Sequence, residues 1–71
     1  GSGAVVENVE PGSPADTAGI QNGDVIHKVN NIRVTNRADL VRAIRTLGDQ
    51  PQAVLQIESQ GQLRFVTVTF D

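Results

Sequence analysis

The sequence predicts an α+β domain in which a small antiparallel sheet, about five strands curled into a partly open barrel or sandwich, carries one long helix and one short helical turn. Three observations predict it. Short β-branched runs alternate with Gly, Pro and Asn turn signals along the chain. A single stretch, Asn36 to Leu47, combines helical spacing with start and stop signals. The chain has 71 residues, room for one small domain with a thin stability margin.

Each element has its own warrant. Gly1-Ser2-Gly3 reads as a tag remnant or flexible start, leaving residues 4–71 as the domain. Ala4 to Val9 is a β-branched strand bounded by Pro11-Gly12, with imperfect alternation. Ser13 is an N-cap, Pro14 suits the first helical position and Asp16 the electropositive first turn, so one helical turn follows and Gly19 can close it. Gln21-Asn22-Gly23 is a turn, Val25–Val29 a strand, and Asn30-Asn31 a tight turn into a short strand at Ile32–Val34. Asn36 with Asp39 forms a start like a capping box, and Gly48 stops the helix. Ala53–Ser59 and Leu63–Phe70 are strands joined by Gln60-Gly61. The last strand has apolar side chains on both faces, which predicts cover on both sides or a place near the centre of the core.

Composition excludes several functions. There is no cysteine and a single histidine, so neither a disulfide nor a Cys/His zinc site can form, and no metal or other cofactor is implied. Eight acids face six bases, and the aromatics are two Phe, the opposite of a nucleic-acid binder's basic, aromatic surface. No apolar run approaches the roughly 20 residues that span a bilayer, so direct membrane insertion by these residues is not expected. Catalysis is not expected either. Ser13 is better explained as a cap, His27 as a partly buried or edge histidine on a strand and Asp24 as a turn-amide partner. Gly19 and Gly23 lack the Lys-Ser/Thr of a phosphate loop.

Charge is unevenly placed. Arg33, Arg37, Arg42 and Arg45 against Asp39 leave residues 33–45 at +3, while Lys28 and Arg64 against seven acids leave the rest at −5. In helical projection Leu40, Ala43, Ile44 and Leu47 form the stripe that packs on the sheet. Arg37, Val41, Ile44 and Arg45 gather on a second face. That face is either the solvated edge of the core or one wall of a groove with an apolar floor and a cationic rim.

Gly3-Ala4-Val5-Val6, Pro11-Gly12-Ser13-Pro14-Ala15, Ala18-Gly19-Ile20, Gly23-Asp24-Val25-Ile26 and Val29-Asn30 together resemble the PDZ domain. The resemblance runs from residue 3 to residue 70 and is most specific between Pro11 and Asn31. Two strands after the long helix resemble the circularly permuted form of bacteria and organelles, found in HtrA/Deg proteases, site-2-type and C-terminal processing proteases, and secretion or magnetosome proteins. The resemblance implies a PDZ-like fold and a non-catalytic module that binds peptide or protein C-termini beside helix 37–47. It also implies a role in regulating or localising a larger bacterial protein such as a protease, in the periplasm or cell envelope. By the same resemblance Arg37 selects the ligand side chain two before the C-terminus, Val41 and Ile44 line the groove with Ile44 near the last side chain, and Arg45 lies beside the carboxylate. The two arginines would favour acidic ligands. The family's carboxylate-binding loop and its strand precede the Gly-Ala-Val-Val position, so the expectation is a domain lacking both, trimmed or natively short. An exposed groove or edge then opens a route to homo-oligomers. The alternative function is a structural or self-associating core that binds no peptide of its own.

Overall fold

The computed structural model describes residues 2–70. Its elements are β1 (Ala4–Val5), α1 (Pro14–Thr17), β2 (Val25–Val29), β3 (Ile32–Arg33), α2 (Arg37–Leu47), β4 (Gln52–Ser59) and β5 (Gln62–Thr69). All five strands belong to one open antiparallel sheet, ordered β1-β2-β4-β5 with β3 also paired to β2; it does not close into a barrel.

The local chemistry acts as the residues dictate. The Asp16 N–H donates to the Ser13 hydroxyl (3.2 Å), and the Asp16 carboxylate accepts from the Gly12 N–H (2.8 Å), so cap and first turn hold each other. Asn36 caps α2 by accepting from the Asp39 N–H (2.9 Å). The Gln60-Gly61 turn has positive φ at both residues, 53° and 80°, as the tightest hairpin loops require. In the Asn30-Asn31 turn only Asn30 is left-handed (φ 53°). Asn30 also pairs with β4: its N–H donates to the Val54 carbonyl (2.7 Å) and its side-chain oxygen accepts from the Val54 N–H (2.9 Å).

One face of the sheet is buried. Ala4, Ile26, Val29, Ala53, Leu55, Ile57 and Val68 point inward, and Ile20, Val34, Ala43 and Leu47 close over them. Helix α2 lies against β1 and β2, and α1 lies against β5. The β2–β4 register slips between Ile26 and Lys28, making His27 the extra residue of a bulge. The bulge lets Ile26 and Val29, three positions apart, face the same core.

Two expectations are corrected. The strand expected over residues 4–9 ends at Val5. The chain leaves β2 once the Val6 N–H has reached the Asp24 carbonyl and the Gly23 N–H the Val6 carbonyl, both at 2.8 Å. The last strand is not covered on both sides. It is the end of the sheet, α1 packs against it, and Phe65 on its outer face is 70% exposed. Of the three residues expected to form a loose start, Gly1 lies outside the described residues. Gly3 is held: its N–H donates to the Thr35 carbonyl (3.0 Å), and at φ 146° an added Cβ would lie 2.5 Å from a Val25 methyl.

Candidate functional site

Between α2 and the chain that follows β1 lies a groove of about 930 Å³, at the upper end of the range for ligand sites. Its floor is the inner face of the sheet, where Ile26, Leu55 and Val68 are marginally exposed over the fully buried Val29. One wall is the α2 stripe Arg37, Leu40, Ile44 and Leu47. The facing wall is Val5–Val9, continued by Ala15 and Phe70. Core side chains form the floor, so an apolar occupant would complete the core as well as fill a surface.

Each wall is fixed locally. Asn36 and Asp39 set where α2 begins and thereby place Arg37 at the groove's entrance. The Asp39 carboxylate accepts from the Thr35 hydroxyl and the Thr35 N–H (3.0 Å) and pairs with Arg42. These hydrogen bonds from Thr35, with the Arg42 charge behind them, hold its pKa below the ordinary carboxylate value. Residues 6–9 are tied by the Val6 pairing and by the Val9 N–H, which donates to the Asn22 side chain (2.9 Å).

Of the four residues singled out from the sequence, Arg37 and Ile44 line the groove, and Ile44 is 49% exposed. Val41, 39% exposed, and Arg45 are not among the lining residues. Taking Leu40 as zero, Arg37 and Ile44 lie about 60° and 40° round the helix, but Val41 and Arg45 about 100° and 140°. The projection had assigned Leu40 to the core stripe, and it belongs to the groove wall as well. The Val5–Val9 wall had no sequence signal, since those residues read as a continuous strand.

The remaining polar candidates have structural partners. Ser13 is the α1 cap described above. Asp24 is buried and accepts from the Gln21 N–H (3.0 Å). His27 is half-buried on the opposite side of the sheet, with Nε2 2.9 Å from Glu58 Oε1, at the edge of a shallow cavity of about 450 Å³ that also includes Lys28 and Arg33. Among the described residues, no group of three or more His, Cys, Asp or Glu could hold a metal ion.

The family model for the PDZ domain matches residues 5–58. The chain is a PDZ domain. A probable periplasmic serine endoprotease, DegP-like, from Brucella suis is 40% identical over 70 residues, covering 96% of this chain and 14% of that protein. Human serine protease HTRA3 is 42% identical over 45 residues, 63% of this chain and 10% of that protein. A crystal structure of the HtrA3 PDZ domain bound to a phage-derived ligand (FGRWV) superposes with a TM-score of 0.83 at 30% identity, over 99% of this chain and 61% of that one. This PDZ chain thus spans about a seventh of the length of its DegP-like relatives.

Proposed function

We propose that this domain binds extended peptides, the C-termini of proteins above all, in the groove between α2 and Val5–Val9, and that it regulates or localises a larger protease. The carrying observation is the groove itself: a slot of about 930 Å³ floored by core side chains, in a fold whose HtrA3 relative was solved with a peptide ligand. The floor selects apolar side chains. Arg37 at the entrance favours an acidic group nearby, partly offset by Glu7 on the facing wall. The positions of β4 and β5 after α2 support the circularly permuted reading. The DegP-like relatives, named as periplasmic serine endoproteases, support a place in the periplasm or envelope and a non-catalytic role beside a protease domain.

The test is titration of labelled protein with peptides bearing a free C-terminus, alongside the same peptides amidated. Saturable shifts are expected at Arg37, Leu40, Ile44 and residues 5–9, with dissociation constants of roughly 1 μM to 1 mM and a rise in Tm as the occupant seals the core. An absence of shifts up to millimolar peptide, or shifts confined to β5, would overturn the proposal.

A further inference from the structure

The open edge of β5 has a regularity that the groove does not use. Ser59 and Gln62 flank the two-residue turn and so exchange hydrogen bonds, as does every second pair along the hairpin: Ile57 with Arg64, Leu55 with Val66, Ala53 with Val68. The backbone groups of Gln62, Arg64, Val66 and Val68 are thereby engaged with β4. Leu63, Phe65, Thr67 and Thr69 turn their N–H and C=O groups the other way, and among the described residues β5 has no strand on that side. The side chains of the same four residues stand on the outer face of the sheet, where Leu63 is 62% exposed and Phe65 more so.

Several of the usual protections of an edge are missing here. β5 has no Pro and no Lys, and its register with β4 runs unbroken from Gln52/Thr69 to Ser59/Gln62. Its one charge, Arg64, lies on the inner face and donates to the Gly19 carbonyl (3.2 Å).

The geometry points to a symmetric dimer of this chain, formed by antiparallel pairing of two β5 edges about Val66. Open groups must oppose open groups, so the register moves only in steps of two residues per strand. With Val66 opposite Val66, Leu63 meets Thr69 and Phe65 meets Thr67 of the second copy, in both directions. All four outward N–H and all four outward C=O groups of each copy are then paired. Centring instead on Phe65 sets Thr69 against the Gly61 turn, and centring on Thr67 carries Leu63 past Thr69, the last residue of β5. Arg64 faces Val68, so no like charges meet. The two Phe65 rings sit on one face at diagonal positions, within reach of each other. A two-fold axis supplies this match from one strand, whereas a foreign strand would have to supply its own. The sheets join at their edges and bury less than a standard interface of about 1,600 Å², so the dimer is weak and concentration-dependent.

Sedimentation equilibrium and amide exchange on the intact chain, from about 20 μM to about 1 mM, test it. The average mass is expected to rise toward that of a dimer. Over the same range the amides of Leu63, Phe65, Thr67 and Thr69 are expected to gain about tenfold protection, while those of Arg64, Val66 and Val68 are already slow in the monomer. The chain has no cysteine, so Val66→Cys should give a disulfide-linked dimer on mild oxidation much faster than Val5→Cys on the opposite edge. Thr67→Lys should hold the protein monomeric with unchanged circular dichroism, and Thr69→Lys provides a second such variant if the first unfolds. A strict monomer at 1 mM, protection confined to residues 5–9 and α2, or equal cross-linking of Val5→Cys and Val66→Cys would overturn the proposal. Peptide binding in the groove can fail without touching any of these results.

Discussion

The two ends of the sheet are built in opposite ways. β1 has two residues, is held by loop contacts through Gly3 and Val6, and opens onto a deep apolar groove. β5 has eight residues in unbroken register and opens onto solvent. Regular secondary structure and a binding cavity are alternative uses of a sheet edge. At β1 the chain leaves the ladder early, and the vacated space between strand and helix becomes the groove. At β5 the ladder continues to its end, and what remains exposed is backbone.

The largest effect is expected from removing what both ends share. Ile57 is fully buried in β4 between β2 and β5. Ile57→Ala should cost about 3 kcal/mol, a large part of the roughly 5 kcal/mol expected of a domain this size. Denaturant melts should show both ends lost in one transition; an end that survived alone would show the sheet is not one cooperative unit. Next is a change confined to β1. Gly3→Ala sets a methyl against Val25 at a φ that suits glycine alone, and a cost of about 2 kcal/mol is expected. Amide exchange should loosen residues 4–9 and leave the β5 pattern intact, so equal loosening of both ends would refute their independence.

A smaller effect belongs to acid. The Asp39 pKa is lowered in the folded protein by its hydrogen bonds from Thr35. A group depressed on folding contributes stability above its unfolded value, and that contribution is lost as pH falls through the folded one. Lowering the pH below about 4 should therefore loosen the start of α2, and with it the Arg37 wall. Asp39→Asn should remove this part of the acid sensitivity; identical acid melts of the two proteins would show that Asp39 does not carry it. The smallest effect is expected at the other end. With the copies well diluted, Phe65→Ser should change stability by no more than about 0.5 kcal/mol, since the ring is mostly in water. A larger loss would mean that the outer face packs against something within the monomer.

Much of this fold is legible residue by residue, because its signals are local. Ser13, Asn36 and Gly48 set helix ends, and Asn30 and Gln60-Gly61 set turns, through conformations decided within four residues. The bulge at His27 and the terminal place of β5 are not legible, since both depend on which strand lies alongside. Alternation in β5 offers apolar side chains to either face and says nothing of neighbours. The same limit governs the groove. Arg37 and Ile44 follow from the helical projection. The Val5–Val9 wall exists because the chain departs from β2 at Val6, an event decided by the turn at residues 21–24. Leu40 lies on the boundary between core and groove, which a projection cannot divide.

The β4–β5 hairpin also sets a timetable. Its two strands are joined by only two residues, so it can close in about 1–10 μs. Pairing β2 with β4 must wait for the ends of a much longer intervening segment, which includes α2, to meet. During refolding the β5 edge is therefore complete while the other side of the hairpin, β4, is still bare. For that interval the refolding chain presents the whole β4 edge as well as that of β5, and the concentration at which copies meet then decides the yield of refolding as much as the stability of the finished domain does.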